Sequence, residues 1–77
     1  MRNEKLVAFG QRVREIRKSR GLSQEGMAAL AGVDRSYMGH IERGEKNITL
    51  TKIYQISDAL GIEVADLFPR SEAANLS

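Results

Sequence analysis

The sequence predicts an all-α domain of five helices joined by short connections. Three observations carry that prediction. Apolar residues recur at spacings of three and four through most of the chain, the period of one helix face. Glycines stand where helices must stop, and the single proline comes last, at Pro69. No stretch alternates apolar and polar residues as a half-buried strand would.

The first helix runs from about Glu4 to Ser19, with Leu6, Phe9, Val13 and Ile16 on one face. Arg20-Gly21 closes it, and Leu22 folds back onto the core. Ser23 is a good N-cap for a second helix. Gln24 stands in its first turn, where free backbone N–H groups suit a phosphate. Met27, Leu30 and Ala31 form its inward stripe. Gly26 costs roughly 1 kcal/mol relative to alanine inside a helix, and the sequence offers no reason for it.

Gly32 ends the second helix only two residues before Asp34, which caps the third. So short a link sends the third helix off at a steep angle. Met38 and Ile41 face inward. Arg35, Ser36, Tyr37, Gly39 and His40 are left to face outward or sideways. Gly44 stops the helix, and Glu45-Lys46-Asn47 is a polar loop. Thr49 caps a fourth helix from about Leu50 to Leu60, with Ile53, Ile56 and Leu60 as its main stripe and Leu50 and Tyr54 beside it. Gly61 ends it. Glu63 to Phe68 reads as a short fifth helix that Pro69 cannot continue. Residues 1–69 therefore form one domain, and residues 70–77 a frayed tail without a core pattern.

At 77 residues the core is small, so dimerisation would help it. There is no cysteine and one histidine, His40, which leaves no thiolate or histidine cluster for a metal. No apolar run reaches the roughly 20 residues a membrane span needs, and the N-terminus is too charged for a secretory signal. The expectation is a soluble, cytoplasmic protein with no cofactor and no small-molecule ligand. The net charge of +2 is unevenly spread. Arg2, Lys5, Arg12, Arg14, Arg17, Lys18 and Arg20 crowd the first 20 residues, whereas Asp58, Glu63, Asp66 and Glu72 come late. That pattern reads either as a site for a polyanion or as a solvated helix face.

The stretch from Ser23 to Gly44 has the form of two short helices around a tight turn. A second helix that opens on a cap and shows long polar side chains suits a DNA groove. Three spaced elements then agree: R-x-x-R-x-x-x-G-L-S-Q-E from Arg14, GVDRSYMGHIERG from Gly32, and N-I-T-L from Asn47. Together they resemble the Xre, or Cro/repressor-type, helix-turn-helix family over about residues 7 to 68. The D-R-S-Y run at 34–37 and the E-R-G-x-x-N pattern at 42–47 are most similar to the controller proteins of restriction–modification systems.

The resemblance implies a compact, five-helix, lambda-repressor-like domain. It also implies a sequence-specific transcriptional regulator that binds a pseudo-palindromic operator of double-stranded DNA as a homodimer. The recognition helix would be residues 34–43, and the regulator would act as activator and repressor of its own operon. A prophage or plasmid repressor of the same fold, or an antitoxin or protein-interaction module, is the alternative. By the same resemblance Gln24 clamps a phosphate, and Arg35, Ser36 and Tyr37 read bases and backbone. His40 stands where controllers often carry a small residue, and Lys46 contacts the backbone or a base edge. Arg17 and Glu42 match a charged pair that ties the first helix to the end of the recognition helix.

The chemistry of these residues fits those roles to different degrees. Arg35 can donate two bonds to a guanine, worth about 1–3 kcal/mol of discrimination. Tyr37 suits a sugar–phosphate or thymine-methyl contact, or equally a brace for the helix. His40 is either a groove contact or solvated. Arg43 either meets a phosphate or complements the helix dipole. Ile53, Ile62, Val64, Leu67 and Phe68 exceed what a small core needs. They form a dimer interface, or Leu67 and Phe68 simply close the core. A dimer would set two recognition helices roughly 34 Å apart, one turn of DNA, and two dimers per operator would give cooperativity. No catalytic pairing, phosphate loop or metal constellation points to an enzyme.

Overall fold

The computed structural model describes residues 3–69, so the expected tail lies outside the described residues. Four α-helices follow in order: α1 (Glu4–Ser19), α2 (Gln24–Ala31), α3 (Arg35–Glu42) and α4 (Leu50–Leu60). The expected fifth helix is instead a single 3-10 turn, Val64–Leu67. Its ends explain why. Glu63 and Asp66 exchange a capping box across the turn, and Phe68 is already extended (φ −97°, ψ 141°) ahead of Pro69.

Each α-helix opens on a side-chain cap. Asn3 Oδ1 accepts from the amides of Lys5 and Leu6, Ser23 Oγ from Gly26, Asp34 Oδ1 from Tyr37, and Thr49 Oγ1 from Lys52. At the other end of α2, Gly32 takes φ +74°, which lets the chain reverse into Asp34 within two residues.

The core gathers Phe9, Val13 and Ile16 of α1, Met27, Ala28 and Ala31 of α2, Met38 and Ile41 of α3, Ile56 and Leu60 of α4, and Leu67. One expectation fails here: Leu30 is 57% exposed, and Ala28 takes the inward place instead. Helix α2 packs against both α3 and α4. Small residues at 28 and 31 permit that double contact, which a leucine at the same position would obstruct. Leu67 is fully buried and closes the core, so it has no surface to offer a second chain. Phe68 behaves differently: it is 45% exposed, with its ring 5.0 Å from that of Phe9.

Helices α1 and α3 touch backbone to backbone. A Cβ on Gly10 would lie 2.3 Å from the carbonyl oxygen of Ile41 and 2.6 Å from that of Glu42. Close by, Arg17 and Glu42 form a buried bidentate pair, with Nε to Oε2 at 2.7 Å and Nη2 to Oε1 at 3.0 Å. Arg17 Nη1 also donates to the carbonyl of Leu22 at 2.8 Å, and Gln24 Nε2 donates to Glu42 Oε1 at 3.1 Å. This network joins α1, the α1–α2 turn, the start of α2 and the end of α3. Among the described residues no buried side-chain nitrogen or oxygen lacks a partner.

Arg12 of α1 and Arg20 at its C-cap are also turned to structure. Arg12 Nε donates to the carbonyl of Asp66 at 3.0 Å, and Arg20 Nη1 donates to that of Leu60. They fasten α1 to the 3-10 turn and to the end of α4.

Two stability predictions follow from these contacts. Gly10→Ala gains about 1 kcal/mol of helix propensity but forces α3 away, an overpacking that costs up to about 3 kcal/mol. A net loss of about 1–2 kcal/mol is expected from thermal melts at fixed protein concentration. Glu42→Ala strands a buried guanidinium and is expected to cost about 3–5 kcal/mol in urea unfolding. Replacing both partners, Arg17→Met with Glu42→Leu, is expected to recover most of that.

Candidate nucleic-acid interface

Helix α3 has two faces set by its eight residues. Met38, Ile41 and Glu42 are buried, whereas Arg35, Ser36 and His40, with Arg43 at the C-cap, lie at spacings of three to five on the outside. Those four, with Gln24 and Gly39, line one shallow groove of about 220 Å³. The fold thus brings five of the seven expected DNA-binding residues together, from α3, its C-cap and the first turn of α2. Arg35 and Ser36 are exposed at the start of α3, where the Asp34 cap leaves their side chains free to project.

Tyr37 and Lys46 stand apart from that groove. Tyr37 is half-buried and packs against the core, beside a second groove with Val33, Asp34, Thr49 and Lys52. Of its two sequence readings, the bracing one has a visible contact. Lys46 is exposed in the loop after α3.

The Gln24 side chain gives its amide hydrogen to Glu42. What the start of α2 still offers is backbone. Ser23 accepts from the amides of Gly26 and Met27, which leaves those of Gln24 and Glu25 without a protein acceptor among the described residues. Two free N–H groups at a helix N-terminus form a ready anion contact. Gly26, unexplained by sequence, is close to this cap. A Cβ there would lie 3.2 Å from Ser23 Oγ, crowding the hydroxyl that caps the helix.

Sequence reasoning passed over Glu45. Gly44 takes φ +73° where a Cβ would strike Val7, and the chain then folds back so that the Glu45 amide donates to the carbonyl of His40 at 2.9 Å. This turn lays the Glu45 carboxylate on the outer face of α3. Oε1 lies 2.7 Å from His40 Nδ1 and accepts from Arg43 Nε at 3.1 Å. Arg43 Nη2 is 3.3 Å from the same histidine nitrogen. The guanidinium lies back over Gly39, where a Cβ would come within 3.1 Å of Nη1. Hydrogen bonds from His40 first, and then from Arg43, hold the Glu45 carboxyl below the usual carboxylate range. The carboxylate is therefore charged at neutral pH, and what its charge contributes is lost as the pH falls through that lowered value.

The arrangement offers cationic and hydroxyl donors on one face of a short helix, beside the open start of another. Among the described residues no group of three or more His, Cys, Asp or Glu is placed to hold a metal, and no helix is long and apolar enough to cross a membrane.

Comparison with known proteins shows the family to which this chain belongs. The helix-turn-helix family model matches residues 13–67. Control protein C.BamHI of Bacillus amyloliquefaciens is 41% identical over 76 residues, spanning 97% of this chain and 94% of that protein. Control protein C.MunI of Mycoplasma sp is 39% identical over 67 residues, spanning 86% and 90%. The crystal structure of the restriction-modification controller protein C.AhdI from Aeromonas hydrophila aligns with a TM-score of 0.84 at 52% identity, covering 86% of this chain and 100% of that one. With its outward-facing α3 set against the open end of α2, the chain belongs to the helix-turn-helix family, a family of DNA-binding transcription regulators and not of enzymes.

Proposed function

We propose that this protein is a restriction–modification controller. It binds a pseudo-palindromic operator as a homodimer and acts as activator and repressor of its own operon in the cytoplasm. The observation that carries the reading is the groove where Arg35, Ser36, His40, Arg43 and Gln24 converge, in a chain that spans nearly all of C.BamHI.

In this reading α3 enters the major groove, and Arg35 donates its two parallel N–H groups to the O6 and N7 of a guanine. Ser36 bonds a neighbouring base or phosphate. Tyr37 braces the helix from its inner side. The free amides of Gln24 and Glu25 meet a phosphate that fixes the register of the domain. Lys46 meets the backbone from the following loop.

The homodimer uses the outer side of α4 and the segment after it. Leu50 and Tyr54 are 65% and 53% exposed on α4, one helical turn apart. Ile53 and Phe68 border an apolar groove of about 500 Å³. Ile62 and Val64, in the segment after α4, are both half-buried. An apolar strip of this kind on so small a chain favours pairing. Two-fold symmetry would then set two α3 helices roughly one turn of DNA apart, and two such dimers on one operator would bind cooperatively.

Selection of bound duplexes from a random DNA pool tests the whole reading, because it returns site, symmetry and spacing together. Arg35→Ala is expected to lose preference at one base position. Lys46→Ala is expected to weaken all sequences alike and to lower the salt slope by about 0.9, one phosphate's worth. Competition binding at several salt concentrations separates the two. Tyr54→Glu, at an exposed position, is expected to leave the fold intact and yield monomers in sedimentation. A dimer that survives it would move the interface elsewhere.

A further inference from the structure

A carboxylate on a DNA-reading face repels phosphate, so the place of Glu45 calls for a reason. Its backbone is fixed by the hydrogen bond that its N–H donates to the carbonyl of His40, which leaves the side chain a short tether. Within that reach Oε1 holds two cation-forming side chains, His40 at Nδ1 and Arg43 at Nε. An arginine at the end of a helix would otherwise sweep through solvent and find phosphates on DNA of any sequence. Here its Nε is engaged, Nη2 faces His40, and the guanidinium lies over Gly39, where only the missing side chain leaves it room.

We infer that Glu45 is a positioning residue that sets specificity: it holds Arg43 and His40 against α3 and so withholds them from sequence-independent phosphate binding. The inference rests on the DNA-binding role proposed above. Non-specific affinity grows with each phosphate neutralised, whereas discrimination comes from base edges. A restraint on Arg43 and His40 beside Arg35 therefore lowers the first with little effect on the second. A phosphate reached by Arg43 must first displace Glu45, and a well-placed base contact elsewhere on α3 need not.

The test uses the full chain, the duplex recovered by selection and a scrambled duplex of the same composition, titrated between 50 and 200 mM salt. Glu45→Gln is expected to tighten binding to the scrambled duplex on the order of tenfold at the lower salt, with a slope steeper by about 0.9 for each phosphate newly met. The ratio of selected to scrambled affinity should fall by a similar factor. In a His40→Ala, Arg43→Ala background the same change should have much less effect, because the restrained groups are gone. An unchanged ratio in Glu45→Gln would overturn the inference, as would an equal gain in the background without His40 and Arg43, which is the signature of simple charge removal. If the unaltered chain bound neither duplex in a salt-sensitive way, the DNA-binding role itself would fail, and this inference with it.

Discussion

The buried pair between Arg17 and Glu42 is the contact on which the placing of α3 depends. Glu42 stands on the inner side of the last turn of α3, directly behind the side chains that face out. Arg17 grips it with two hydrogen bonds and uses a third nitrogen to hold the carbonyl of Leu22. Gln24 joins the same carboxylate from the start of α2. The open amides of α2 and the outer face of α3 are thus registered to one buried group. A pair of this kind adds little net stability compared with apolar residues of similar volume. What it supplies is position, and position is what a protein needs to meet base edges and a phosphate at once.

The helices it holds are too short to stand alone. Isolated helices below about 12–15 residues are marginal in water, and α2 and α3 have eight residues each. Their stability comes from packing, and the packing is close because side chains are missing at chosen points. Gly10 lets α1 and α3 meet backbone to backbone, and alanines at 28 and 31 let α2 lie against two helices. Gly39 serves the opposite surface, where its bare backbone makes room for the Arg43 guanidinium. In α3, then, one face is shaped by what packs beneath it and the other by what lies across it.

Short-range chemistry was legible in the sequence. Ser23, Asp34 and Thr49 cap the helices they precede, because a cap bonds its own chain two or three residues on. Of the residues expected to face outward or sideways on α3, Arg35 and Ser36 are exposed and His40 is half-exposed. Tyr37 instead packs on the core and Gly39 is buried, because core contacts and not spacing alone decide the flanks of so short a helix. Contacts set by the tertiary arrangement were not legible. Leu30 turned outward because α3 and α4 together decide which side of α2 is covered. The fifth helix shrank to a 3-10 turn because its length was limited by a capping box spanning only four residues. Arg17 and Glu42 are 25 positions apart, and no local pattern links them; the family resemblance suggested that pair. Glu45 read as one more polar loop residue, since its role depends on a turn that doubles the chain back over the helix it has just left.

Charge count left the first 20 residues open between a polyanion site and a solvated helix face. In the structure Arg12, Arg17 and Arg20 all donate to groups inside the protein. Each ties α1 or its C-cap to another element of the fold. The cations that face outward beside the groove are fewer, and of these Arg43 is tied to Glu45. A regulator with few free cations gains little from any single domain, since sequence-independent affinity scales with phosphates neutralised. Joining two such domains makes the second contact intramolecular and raises affinity without new contacts. It does so only where both half-sites are present at the right spacing. In the proposed dimer, sparse free charge on α3 and the exposed apolar residues of α4 would be two parts of one solution: weak contact with arbitrary DNA, and strong contact where two-fold symmetry lets both copies of α3 engage.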